Sequence, residues 1–99
     1  MNELFQPRYE TKLNEVGERV FRKLKKLKSH VGLQQARYWF KNDKFKLNNN
    51  FLITKKGIKF FFNSYEIGPY YFGTTEILID YQSIKDLIKP GSFLTRFAG

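Results

Sequence analysis

Nine residues, Tyr65-Glu66-Ile67-Gly68-Pro69-Tyr70-Tyr71-Phe72-Gly73, hold the densest group of side chains able to do chemistry in this chain. One carboxylate sits among three tyrosines and a phenylalanine, with two glycines and a proline restricting the backbone between them. That density of bulky and backbone-restricting types marks a shaped turn rather than an ordinary surface loop. The chemistry open to it is narrow. Glu66 either carries a raised pKa and serves as a general acid, or is ionised and held by N–H groups of its own turn, or meets a partner. The second role needs least, because a turn supplies amide donors to any acceptor within it. Its glycines and Pro69 then fix the passage from one strand to the next, and the tyrosines pack the corner. As ligand-binding candidates the segment offers Tyr65, Glu66, Pro69, Tyr70 and Tyr71, and no catalytic residue is assigned.

The rest of the chain offers catalysis little. Glu3, Glu10, Glu15 and Glu18 lie on or before an exposed helix face, Asp43 lies in a polar turn, and capping or solvent exposure accounts for Asp80 and Asp86. The absence of cysteine excludes disulfides, thiolate metal sites and cysteine nucleophiles. The single histidine, His30, leaves no two-histidine metal cluster and no imidazole to activate a serine, and it suits a place near a helix C-terminus. No phosphate-loop, dinucleotide, HExxH or GxSxG pattern occurs. No metal and no cofactor is therefore expected, and the chain reads as a non-enzyme.

Ninety-nine residues, 41% of them hydrophobic and 11 of them Phe, suit one domain with a phenylalanine-rich core. A formal charge of +9 favours acidic partners: nucleic acid, anionic lipid or wall polymer, or an acidic protein face. No apolar run approaches the roughly 20 residues that span a bilayer, and Met1 to Arg8 lacks the apolar centre of a signal peptide.

Around the turn stand the elements that must position it. From Arg8 to Val31, Leu13, Val16, Val20, Leu24, Leu27 and Val31 recur at spacings of three and four, which predicts a long amphipathic helix ended by Gly32. Its acids come first and its bases last, as the helix dipole favours, and Gly17 inside it implies close packing against a neighbour. Ala36 to Phe40 reads as a short helical turn or strand, and Asn48-Asn49-Asn50 as a turn. Phe51 and Ile53, then Ile58, Phe60 and Phe62, alternate on either side of Thr54-Lys55-Lys56-Gly57, which predicts an antiparallel hairpin with positive φ at Gly57. Thr75 to Asp80 is a third strand, followed by a short helix capped by Asp80 or Ser83 and stopped at Pro90-Gly91. The tail from Ser92 with Phe93, Leu94 and Phe97 either covers an edge strand or frays. The fold class is thus α+β, one long amphipathic helix on a small antiparallel sheet with a short C-terminal helix. Lys55, Lys56 and Lys59 beside Phe60 to Phe62 give a weak nucleic-acid pattern, although alternating phenylalanines in a hairpin are more often core.

The run from Phe51 through Tyr70 resembles the RsiV-type domain family. That family shows an apolar strand ending in Leu-Thr, a turn with Gly, a strand ending near Tyr/Phe-Asn-Pro, and then Tyr-Glu-Ile-Ala-Pro-Tyr. The likeness continues through Gly73, the strand Glu76 to Ile79, and Tyr81 with its short helix, and extends weakly to Glu3-Leu4-Phe5 and the long helix. Ser64, Gly68 and Asp80 depart from the usual Pro, Ala and Pro. The resemblance implies that residues 1–99 form a single domain corresponding to the C-terminal portion of a longer one. It also implies an extracytoplasmic, non-enzymatic binding or sensor module of the bacterial cell envelope, since the family includes the lysozyme-sensing part of an anti-sigma factor and a companion domain of a peptidoglycan deacetylase. A wall polymer or protein is the implied ligand. Charge favours an acidic polymer over a basic lysozyme. Nucleic-acid binding through the basic helix and hairpin lysines is the alternative.

Overall fold

The computed structural model describes residues 4–28 and 30–91, with Tyr71 described in its backbone only. It has the expected α+β architecture. Helix α1 spans Glu10–Leu24, and strands β1 (Phe51–Ile53), β2 (Gly57–Phe62) and β3 (Thr75–Asp80) form one antiparallel sheet in the order β1-β2-β3. Short 3-10 turns cover Lys41–Asp43, Tyr70–Phe72 and Tyr81–Leu87. The last of these is the expected short C-terminal helix, and it is capped as the sequence predicts: the Asp80 carboxylate accepts the Ser83 N–H at 2.9 Å.

Alternation determines which face of the sheet is inside. Thr75, Ile77 and Ile79 of β3 are buried while Glu76, Leu78 and Asp80 are exposed. The register sets Phe60 beside Ile77 and Ile58 beside Ile79, so these apolar side chains share one face. Against that face lies α1, whose Leu13, Val16 and Phe21 are buried. Phe60 and Phe62 belong to this core, so these two phenylalanines of the hairpin are interior, while Phe51 and Phe61 are half-buried. The N-terminal segment closes one end, because Phe5 bridges antiparallel to Ile88, Gln6 donates to the Leu87 carbonyl and Lys89 donates to that of Leu4.

Helix α1 is shorter than its periodicity implies, ending at Leu24 rather than Val31. The Leu27 N–H reaches the Arg22 carbonyl and the Lys26 N–H reaches that of Lys23, while Lys26 adopts φ +57°. This is a Schellman stop with lysine where glycine is usual, so no glycine announces it in the sequence. Arg22 then fastens the departing chain: its guanidinium pairs with Glu18 at 2.7 Å and donates to the carbonyls of Val31 and Lys28. Gly32, expected as the helix stop, lies in the following turn. A Cβ on Gly17 would stand 3.0 Å from Phe45 and 3.1 Å from Leu47, which bears out the close approach inferred there.

Gly57 is needed for a different reason from the one its sequence suggests. It lies inside β2 without positive φ, and a Cβ there would come within 2.2 Å of the Ile79 carbonyl oxygen on the paired strand. The hairpin turn is organised instead by Thr54, whose hydroxyl donates to the Gly57 carbonyl at 2.7 Å and accepts the Gly57 N–H at 3.1 Å. Tyr81 donates its hydroxyl to the Thr54 carbonyl, and burial pushes its pKa up. The tail Ser92–Gly99, expected to cover an edge or fray, lies outside the described residues.

Two substitutions separate these backbone roles. Gly57→Ala forces a backbone clash and is expected to lower the unfolding free energy by about 3 kcal/mol or more, whereas Lys26→Gly relieves a left-handed residue and raises it by about 1 kcal/mol. Urea midpoints at constant m-value measure both.

Candidate functional site

Tyr65 to Gly73 leaves β2 and enters β3 by way of two tight turns. Tyr65 adopts φ +72°, a conformation costly for a tyrosine, and the following N–H of Glu66 bonds to the Asn63 carbonyl at 3.0 Å. Pro69 precedes the 3-10 turn Tyr70–Phe72, with the Phe72 and Gly73 N–H groups bonded to the Pro69 and Tyr70 carbonyls. Gly73 ends it at φ +72° and ψ −161°, backbone that only glycine adopts readily.

Glu66 has a structural task in this turn. One carboxylate oxygen accepts the Asn63 N–H at 2.9 Å and the other accepts the Asn48 side-chain amide at 2.7 Å. Asn48 donates also to the Phe61 carbonyl and accepts the Asn50 N–H, so it joins the polar turn before β1 to the end of β2 and to the carboxylate. The expectation that Glu66 is tied by its turn is met by one backbone amide and one side-chain amide.

Tyr65 and Tyr70 do not pack the corner. Tyr65 and Tyr70 are each 64% exposed, because the interior place is taken by Phe72, whose ring lies 5.0 Å from buried Tyr38 and against Gly68. A Cβ on Gly68 would meet the Phe72 ring at 2.8 Å. The side chain of Tyr71 lies outside what the structure describes. Of the five candidates, Tyr65 and Tyr70 thus come together on the surface with ring centroids 5.2 Å apart, Glu66 is an exposed tie of the turn, and Pro69 shapes the backbone.

Sequence reasoning misses the third member of this surface. Trp39 is 52% exposed and stacks on Tyr65 with centroids 6.4 Å apart and planes 13° from parallel. Its N–H bonds to the Ile67 carbonyl at 2.8 Å, which holds the segment after α1 against the turn. The outward aim of Trp39 follows from extended backbone: Tyr38 before it is buried, and Phe40 after it packs on the core. Burial pushes the Tyr38 pKa up. The same alternation continues at Lys44-Phe45-Lys46-Leu47, where Phe45 and Leu47 point inward and both lysines outward. Among the described residues no strand pairs with this stretch; instead the Leu47 N–H is received by the Asn14 side chain of α1 at 2.9 Å. The signal that finds the surface is the interleaving of aromatic and basic residues from Arg37 to Lys46, around the sole tryptophan.

These two segments border an open groove of about 600 Å³. Its apolar part includes Trp39, Phe40 and Ile67 with Phe45, Leu47 and Phe62 behind them, its basic rim is Lys41, Lys44 and Lys46, and its other polar groups include Asn42, Asn48, Asn49 and Glu66. Glu66 is the one acid among the described residues lining it. Among the described residues no group of three His, Cys, Asp or Glu side chains could hold a metal, and no helix is long and apolar enough to cross a membrane.

Comparison with known proteins identifies relatives without a described activity. The family model "Protein of unknown function (DUF3298)" matches residues 2–82. A solved DUF3298 protein from Bacteroides fragilis is 28% identical, with a TM-score of 0.72 over 87% of this chain and 34% of its own. Another from Pseudomonas aeruginosa shares the fold at 18% identity, with a TM-score of 0.61 over 88% of this chain and 38% of its own. The chain thus spans about a third of the length of these relatives. No curated protein matches it in sequence.

The tie through Asn48 is testable by stability alone. Asn48→Ala removes donors from the Phe61 carbonyl and from Glu66 together, and is expected to lower the unfolding free energy by about 1–2 kcal/mol. Hydrogen exchange should speed most at the Asn50 amide, which loses its acceptor, and at the Asn63 amide, whose carboxylate partner loses its tether.

Proposed function

Because the chain belongs to the DUF3298 family, we propose that it is an RsiV-type, extracytoplasmic binding or sensor domain of the bacterial cell envelope that recognises a wall polymer or a protein. One observation carries the reading: Trp39, Tyr65 and Tyr70, each more than half exposed, form a contiguous aromatic surface. A domain that fills its core with phenylalanine has no packing reason to leave three large rings in water, and clustered exposed aromatics are what recognition surfaces use. The groove beside them supplies the orienting polar groups of a ligand site.

Binding rather than catalysis suits Glu66. Both its oxygens already accept hydrogen bonds that hold the turn, so a role in proton transfer would work against its structural one. The basic rim of the groove favours an acidic ligand over a basic one.

A pull-down from cell-wall fragments and envelope proteins, with the wild-type chain and a Tyr70→Ala variant, tests this. The exposed ring can be removed without opening the core, so the variant should keep its urea midpoint and lose most captured ligand. Undiminished capture by the folded variant removes the turn from the contact. A Glu66→Gln variant that stays folded but loses a hydrolytic activity of the wild type would return the domain to enzymes.

A further inference from the structure

We infer that the groove beside Trp39 takes an extended anionic polysaccharide, its sugar rings lying on Trp39, Tyr65 and Tyr70 and its acidic groups on Lys41, Lys44 and Lys46. The inference rests on the binding role proposed above and names the ligand class for that site.

Three features of the site select this chemistry. First, apolar and cationic groups adjoin: Trp39 lines the groove together with the three lysines, and Tyr65 and Tyr70 continue its ring surface beyond the groove. The exposed rings offer flat apolar surface for the C–H faces of sugars, and the three lysines, all exposed, offer charge without a fixed fork geometry. A polymer with an acidic group on successive residues meets both sets at once. A compact protein partner could use the rings but leaves the lysine-lined depression unfilled.

Second, the polar groups between rings and lysines suit hydroxyls. Asn42 and Asn49 each provide a donor and an acceptor, and Glu66 provides lone pairs beyond the two bonds it already accepts. Sugar hydroxyls both donate and accept, so they can satisfy such a mixture. A phosphodiester backbone brings no donor of its own. The rings also differ from a single-strand nucleic-acid platform: Trp39 stacks on Tyr65, and Tyr65 lies 5.2 Å from Tyr70, so the cluster leaves no slot between rings for a base.

Third, the two loops that present these groups carry strained backbone. Among the described residues six other than glycine have positive φ, and four of them, Arg37, Asn42, Asp43 and Tyr65, lie in the two loops that build this site. Asparagine and aspartate tolerate that conformation, but arginine and tyrosine do so at a cost that persists only where the surroundings hold them. Three contacts hold them: the Gln34 N–H bonds to the Asp43 carboxylate at 2.8 Å, the Trp39 backbone N–H bonds to the Ile67 carbonyl, and Glu66 ties the Tyr65 turn from both sides. The loops are thus set before a ligand arrives, which lowers the ordering cost of binding.

Trp39, as the sole tryptophan, reports on its own site. Its fluorescence should change saturably on titration with a galacturonic-acid hexamer at about 50 mM salt, and the affinity should fall at least tenfold by about 500 mM. Tyr65→Ala and the double variant Lys44→Ala/Lys46→Ala should each weaken binding by about tenfold at unchanged urea midpoint, the size expected when one well-placed contact is removed. A neutral chito-hexamer should bind at least tenfold more weakly than the uronate. Uronate affinity untouched by Tyr65→Ala, or a single-stranded oligonucleotide bound more tightly through the same residues, overturns the assignment. If no uronate binds while Tyr70-dependent capture of an envelope protein persists, the ligand class is wrong and the binding role stands. If neither is bound, the binding role itself fails.

Discussion

Phe21 is the side chain on which the rest of this small protein depends. Its ring is fully buried and is met by Tyr38 at 4.9 Å, Phe40 at 5.9 Å and Phe45 at 5.3 Å. These three come from a stretch with almost no regular hydrogen bonding of its own. The edge-to-face approach of Tyr38 and Phe40 is the favourable arrangement for ring quadrupoles, so packing here substitutes for a strand ladder. From the same cluster Phe45 reaches Phe62 of the sheet and Tyr38 reaches Phe72 of the turn before β3. Helix, loop, sheet and turn are joined through one aromatic hub.

The surface rings follow from the hub by geometry. With Tyr38 inward and extended backbone after it, Trp39 must point outward, and the bond from its N–H to Ile67 places it beside Tyr65. Lys44 and Lys46 are outward for the same reason that Phe45 and Leu47 are inward. The candidate site is therefore the reverse side of the core, and its shape is only as firm as the packing beneath. Glu66 and Asn48 add a polar clasp where aromatic packing does not reach.

The parts of the fold governed by local periodicity were legible in the sequence. The stripe on α1, the alternation of β2 and β3 and the Asp80 cap each follow from nearest neighbours along the chain, and each is present. Where tertiary contacts decided the outcome, sequence reasoning went astray. Leu27 and Val31 continue the helical spacing, but Lys26 turns left-handed and Arg22 captures the carbonyls beyond, so the helix stops without its glycine. Gly57 stands where a turn glycine should, yet it is required by the Ile79 carbonyl of a strand far along the chain. The site was half legible for the same reason. The dense turn from Tyr65 to Gly73 marks itself by composition, whereas Trp39 joins it only through a long-range backbone bond, and burial of Phe72 frees Tyr65 and Tyr70 to face water.

On the proposed reading, the outward faces of two loops, held by Phe21 from below, form one ligand surface. Amide and indole chemical-shift mapping during titration with an anionic oligosaccharide tests this most directly. The expected shifts are concentrated at the Trp39 indole, at residues 41–46 and at residues 65–70, with the lysines of α1 unmoved. Shifts centred on the basic half of α1, or spread evenly over the +9 surface with Trp39 silent, would contradict it.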